Sequence, residues 1–210
     1  QTTTGVALRV YKPQRNTTAQ GWPWVVYLHG GMWSYGSLDS HEYMTAPLCK
    51  DLNAVVVAVD YRLAPEASYP DAQTDCIAAL EYVRSQAGAW QLNLNQGLVM
   101  GDDAGANLAL ELATQLQTPP QLAGVVALYP NLTGSDCQQH PILNQAAVQL
   151  FWQQYAQQQQ QLGMPTVADM GTHTPTVLFV PEYDAAHMEI GQYAQNLQQN
   201  GAQVTVIEGA

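Results

Sequence analysis

Charge is scarce in this 210-residue chain, and positive charge is scarcest. Lys and Arg together number 6 against 17 Asp and Glu, the net charge is −11, and charged residues make up only 11%. So few cations cannot neutralise a phosphate backbone or an anionic lipid surface, which argues against nucleic acid and charged membranes as partners. The excess of acid reads as a solubility device. Long apolar runs are missing too: none approaches the roughly 20 residues that span a bilayer, and no secretory signal pattern is visible. The expected location is the cytoplasm, with export left open. Cysteine is sparse. Cys49, Cys76 and Cys137 are odd in number, widely spaced and without a C-x-x-C, which argues against a disulfide framework and a zinc site. Cys49 and Cys76 fall in helical patterns and are expected as small core residues. The first residue is Gln1 rather than Met, as in a processed, trimmed or partial chain.

What is present is a strand–helix alternation. Hydrophobic residues make up 47%, ordinary for a folded domain. Strands are expected at 6–11, 24–28, 54–59, 97–100, 125–128, 176–180 and 204–207. The 54–59 run is almost continuously β-branched, as in a strand buried on both faces of a parallel sheet. Helices are expected at 41–52, capped by Asp39 or Ser40 and disturbed by Pro47. Others are expected at 71–85, at 104–116 and around Ile190 to Leu197, the last stopped at Asn200-Gly201. The predicted class is α/β with a mostly parallel sheet. One domain over 1–210 is expected, incomplete at both ends. Residues 131–170 change character: they are Gln-rich, with Phe151, Trp152 and Tyr155 on one helical face. That stretch reads either as a lid or as a surface helix with a polyglutamine-like tail.

Two stretches carry chemistry. Gly101-Asp102-Asp103-Ala104-Gly105 lies between an apolar strand and a helix with Leu108, Leu112 and Leu116 at helical spacing. A strand, sharp turn and helix strain the middle residue, so its neighbours must be small. The outline is G-x-S-x-G with Asp103 where a nucleophilic serine would stand. His29-Gly30-Gly31-Met32-Trp33 also follows a strand. Its glycines let backbone N–H groups approach a developing oxyanion. Alone it is only a turn; upstream of the pentapeptide it supplies the second half of an oxyanion hole.

The stretches H-G-G-M-W, V-D-Y-R-L-A-P-E (59–66), G-D-D-A-G-A-N-L-A (101–109) and E-Y-D-A-A-H-M-E-I-G (182–191) together resemble the hormone-sensitive-lipase-like family of α/β hydrolases, in order and over nearly the whole chain. The resemblance implies an α/β-hydrolase fold with a short helical insertion after the sixth strand. It implies a carboxylesterase or lipase acting on short or medium acyl esters through a Ser-Asp-His triad, with no cofactor and no metal. Asp103 then stands at the nucleophile position and Asp184 at the triad acid. Gly30, Gly31, Met32 and Ala104 would supply the oxyanion hole. Asp184 has a second reading, as an N-cap of the following helix. Arg62 and Glu66 match family loop positions and read as structural. The expected partner is a small-molecule ester or a neutral ligand, and the candidate assembly is a homodimer.

The chain departs from the family pattern in four places. Asp103 replaces serine, and a carboxylate at a helix N-terminus beside oxyanion donors would settle there as an anion. The family's catalytic histidine is expected a few residues past the last strand, beyond Glu208-Gly209-Ala210. His29, His41, His140, His173 and His187 are poor substitutes by position. The usual N-terminal cap segment is absent, and Glu189-Ile190-Gly191 stands where the family continues Asp-Glu-Gly. Three readings follow: an esterase scaffold inactive or strongly impaired in this chain, a non-catalytic small-molecule-binding pseudoenzyme, or an Asp-nucleophile hydrolase of epoxides or haloalkanes.

Overall fold

The computed structural model describes residues 2, 5–14, 17, 19–115, 122–132, 145–156, 174–184 and 186–209. Seven strands among them form one sheet: β1 (Ala7–Tyr11), β2 (Trp22–Leu28), β3 (Val55–Asp60), β4 (Leu92–Asp102), β5 (Gly124–Leu128), β6 (Thr176–Pro181) and β7 (Val204–Gly209). Their order is β1-β3-β2-β4-β5-β6-β7. β1 runs antiparallel to β3 and every other neighbouring pair is parallel. The helices are α1 (Glu42–Leu52), α2 (Asp71–Ser85), α3 (Ala87–Trp90), α4 (Asp103–Gln115), α5 (Gln145–Ala156) and α6 (His187–Gln199). This is the α/β-hydrolase arrangement, a mostly parallel sheet with helices on both faces.

Local sequence explains the sheet's centre. Val55 to Val59 are buried on both faces, as the β-branched run requires. Pro23 has no N–H to give the ladder, and the β2–β4 register shifts between Trp22 and Trp24. Just beyond, the Trp24 ring lies over Gly97, where a Cβ would strike it, and the indole N–H donates to the Asn93 carbonyl at 2.9 Å. A small core on one face joins Val25, Tyr27 and Val56 to Cys49, Met44 and Leu48 of α1. The larger core gathers α2, α4 and α6 through Cys76, Leu80, Leu108, Leu112, Ile190 and Leu197, among others. Cys49 and Cys76 are both buried and free.

Three local details differ from expectation. α1 has no side-chain cap: Asp39 pairs with Arg9, Ser40 exchanges hydrogen bonds with Ser37, and the helix opens on the His41 carbonyl, which takes the Met44 and Thr45 N–H groups. Pro47 sits inside α1, where the orphaned carbonyl of exposed Tyr43 can turn to water. α3, a four-residue turn with no buried side chain, has no periodicity by which to be foreseen. The insertion begins after β5, the fifth strand along the chain. Of residues 131–170, only α5 and the first two residues lie among those described. No helix among the described residues is long and apolar enough to cross a membrane.

Candidate active site

β4 ends at Asp102 and α4 begins at Asp103, with no residue between. The reversal falls on Asp103, whose φ of 49° is left-handed, a strained conformation for a residue with a Cβ. The flanking glycines make this possible. A Cβ on Gly101 would enter the Gly105 carbonyl, and a Cβ on Gly105 would enter the Leu28 and His29 carbonyls. Their absence lets the start of α4 press against the end of β2, where the second glycine-containing stretch begins.

That stretch turns sharply after His29. Gly31 has φ 124° and its missing Cβ makes room for the Tyr35 carbonyl, while Met32 and Trp33 follow with φ 52° and 57°. The turn aims two consecutive N–H groups at Asp103. Oδ2 of Asp103 accepts from Gly31 at 3.0 Å and from Met32 at 2.8 Å. The Ala104 N–H also bonds the carboxyl. Gly30 is directed elsewhere: its N–H donates to Oδ1 of Asp102 at 3.0 Å. Of the four backbone donors named from the sequence, three therefore face Asp103 and one serves its neighbour.

The two adjacent carboxyls are treated oppositely. Burial pushes Asp103 upward, with a smaller push from Asp102. The N–H groups of Met32, Gly31 and Ala104 pull the other way without cancelling it. Burial also pushes Asp102 upward, but His41, Tyr27 and Gly30 outweigh it and hold the group below the usual carboxylate range. Oδ1 of Asp102 takes the Tyr27 hydroxyl at 2.6 Å, and Oδ2 lies 3.4 Å from His41 Nε2. His29 stacks between Tyr61, at 4.3 Å, and His41, at 5.3 Å. Its Nδ1 donates to the Gly30 carbonyl at 2.8 Å, and burial lowers its affinity for a proton. The Tyr61 hydroxyl donates to the His29 carbonyl at 2.6 Å. Sequence reading missed this buttress of Tyr27, His41 and Tyr61. Asp102 was visible inside the pentapeptide, but nothing in sequence links it to residues 61 and 75 positions upstream.

Asp184 follows β6. Its Oδ1 accepts the Ala186 N–H at 2.8 Å and its carbonyl accepts the His187 N–H at 3.1 Å, so it organises the entry to α6. It also lies toward the site: Asp102, Asp103 and Asp184 all add to the push of burial on the Tyr129 hydroxyl, which reaches about 12. No hydrogen bond joins Asp103 to Asp184 among the described residues. His187 Nδ1 donates to the Pro181 carbonyl at 3.0 Å. Asn131 closes the remaining side, its N–H on the Asp103 carbonyl at 3.2 Å and its side-chain amide on Met32 Sδ at 3.1 Å. His140 and His173 lie outside the described residues.

Comparison with known proteins agrees with this architecture. The alpha/beta hydrolase fold family matches residues 25–210. The chain is 31% identical to ethyl acetate hydrolase of Pseudomonas putida across 96% of its own length and 69% of that protein's. It is 39% identical to carboxylesterase NlhH of Mycobacterium tuberculosis over 120 residues, 56% of this chain and 37% of that one. The crystal structure of EstE1, a thermostable carboxylesterase from a metagenomic library, superposes with a TM-score of 0.88 at 29% identity, covering 99% of this chain and 76% of that one. The chain belongs to the α/β hydrolases, in their hormone-sensitive-lipase-like carboxylesterase branch.

Proposed function

We propose that this chain carries a carboxylic-ester hydrolase site whose acyl-transfer step is blocked by its own Asp103. One observation carries the reading: Asp103 Oδ2 accepts the N–H groups of Gly31 and Met32. Donors in that place would stabilise the oxyanion of a tetrahedral intermediate, provided the site is free when the carbonyl oxygen arrives. Here an internal carboxylate occupies it. A carboxylate is also a poor nucleophile toward an ester carbonyl, where a serine hydroxyl would surrender its proton to a histidine and form an acyl-enzyme. Asp184 is the triad acid of this reading, and the histidine is expected in the segment after β7. Ethyl acetate hydrolase among the relatives supports a short acyl ester as the substrate class.

The test is hydrolysis of a short p-nitrophenyl ester by three proteins: the chain as it stands, the chain continued past Ala210, and the continued chain carrying Asp103→Ser. Turnover in the last alone supports the reading. Turnover in the first would refute the block. A second reading, a non-catalytic binder, draws on the same occupied donors. In its ionised form Asp103 repels carboxylate ligands, so the ligand would be neutral or cationic. Thermal stabilisation by such a compound without turnover, in all three proteins, would favour it.

A further inference from the structure

α4 carries a second half-hidden carboxyl two turns beyond Asp103. Oε1 of Glu111 accepts the Tyr69 hydroxyl at 3.2 Å. Burial pushes this group up to about 7, against the downward pull of Tyr69 and Gln73. Facing it are Tyr69 from the turn before α2, Gln73 and Cys76 from α2, and Tyr155 from α5. Burial pushes Tyr69 up to about 12, and Cys76 and Tyr155 rise as well, so all three stay neutral where Glu111 changes charge. The neighbouring Asp75 is held by Arg62, through Nε at 2.8 Å and a terminal nitrogen at 2.9 Å.

The same side chains lead back to the donor turn. The Tyr69 N–H donates to the Tyr155 carbonyl at 2.8 Å. The Tyr155 ring stacks on Trp33 at 4.9 Å and 12°, and Trp152 meets Trp33 edge-on at 4.9 Å. Trp33 directly follows Met32, and its carbonyl is fixed by the Ala64 N–H at 2.8 Å. The Tyr155 hydroxyl and the Trp33 indole N–H are buried and have no hydrogen-bond partner among the described residues. Ring packing therefore holds α5 on the turn, and no polar contact between those two rings would resist entering water.

We propose that Glu111 is a positioning residue: its proton is linked to the docking of α5 on Trp33 and, through Trp33, to the placement of the Met32 N–H beside Asp103. The warrant is reciprocity. Packing that keeps water from a carboxyl strengthens its hold on a proton, so the proton strengthens that packing to the same degree. Loss of the proton puts a charge beside Tyr69 and Tyr155, and the charge is best relieved by water between α4 and α5. The inference rests on Gly31 and Met32 as the anion-facing donors and needs no turnover, so it survives or falls separately from the esterase reading.

The test is amide and indole NMR of the full chain between pH 5 and 9, following Met32 N–H and the Trp33 indole. Asp103 itself acts on Met32, so the titrations are run in an Asp103→Asn background. The expected result is one step near pH 7 shared by both signals. Glu111→Gln abolishes it. Tyr69→Phe moves it to higher pH, because the bond that holds the carboxyl down is gone. A step unchanged by Glu111→Gln overturns the proposal, as does a step seen at Trp33 and absent at Met32. Should Glu111→Gln fail to fold, an unmoved midpoint in Tyr69→Phe overturns it equally.

Discussion

Asp102 is where the scaffold can be tested most sharply, because three donors end on one side chain. In Asp102→Ala, the Tyr27 hydroxyl, the Gly30 N–H and His41 Nε2 lose their acceptor together. They will not suffer equally. Tyr27 keeps a weak acceptor in Met44 Sδ, which its hydroxyl also touches at 2.6 Å, and His41 reaches solvent, with 15% of its side chain exposed. Gly30 is buried, and Asp102 Oδ1 is the acceptor its N–H has among the described residues. At about 1–3 kcal/mol for a buried group left unsatisfied, the alanine variant should lose roughly 3–4 kcal/mol. At about 2–4 °C per kcal/mol for a domain of this size, Tm falls by roughly 6–16 °C. Asp102→Asn behaves differently for a geometric reason. Both short bonds end on Oδ1, so an amide carbonyl there keeps both, and only charge assistance worth about 1 kcal/mol is lost. The sign with pH also differs. Asp102 is held below its ordinary range in the folded state, so its contribution is complete above that range and is lost as pH falls through the folded value. Asn does not titrate, so its deficit relative to the native chain shrinks in acid. Urea titrations at pH 7 and in mild acid read both effects. Equal losses for Ala and Asn, or a loss under about 1 kcal/mol for Ala, would refute the buttress as drawn.

Four further outcomes are expected. Gly105→Ala drives a Cβ into the backbone carbonyls of Leu28 and His29, which cannot yield, and should cost about 3 kcal/mol. Gly88→Ala in α3 meets nothing within 4 Å and should gain about 0.5–1 kcal/mol in the same thermal melts. Arg62→Ala leaves the buried Asp75 carboxylate without its cation, whereas Asp75→Ala leaves an Arg62 with 53% of its side chain exposed and still paired with Asp71 at 3.0 Å. The first should cost about 3 kcal/mol and the second clearly less, an asymmetry that denaturation of the two variants settles. For Asp103→Asn the direction follows from the raised carboxyl. In the native chain the stability present at low pH declines as pH rises through the folded value. The asparagine variant should therefore match the native chain in acid and exceed it at neutral pH, and a native chain that gains stability over that range would contradict the sign.

By itself the sequence determined the order of the strands and of the longer helices, and the two stretches that matter. The β-branched run at Val55 to Val59, the period of α2 and the glycines around Asp103 state their structure locally. Each depends on neighbours within one turn or one pleat. The antiparallel placement of β1 and the extension of β4 back to Leu92 were not legible, because strand pairing is decided between residues far apart. Only the tertiary structure divided the four expected donors. Successive residues at the end of β4 point opposite ways, so Asp102 captured the Gly30 N–H while Asp103 received Gly31 and Met32. Nor could sequence rank two neighbouring aspartates: burial acts on both, and what separates them is Tyr27 and His41, brought alongside Asp102 alone by β2 and by the start of α1. Glu111 reads in sequence as one more acidic helix residue. It becomes a group pushed up to about 7 because the fold brings Tyr69 and Gln73 against it and takes it out of water, and the cost of desolvating a charge is a property of what surrounds it in space.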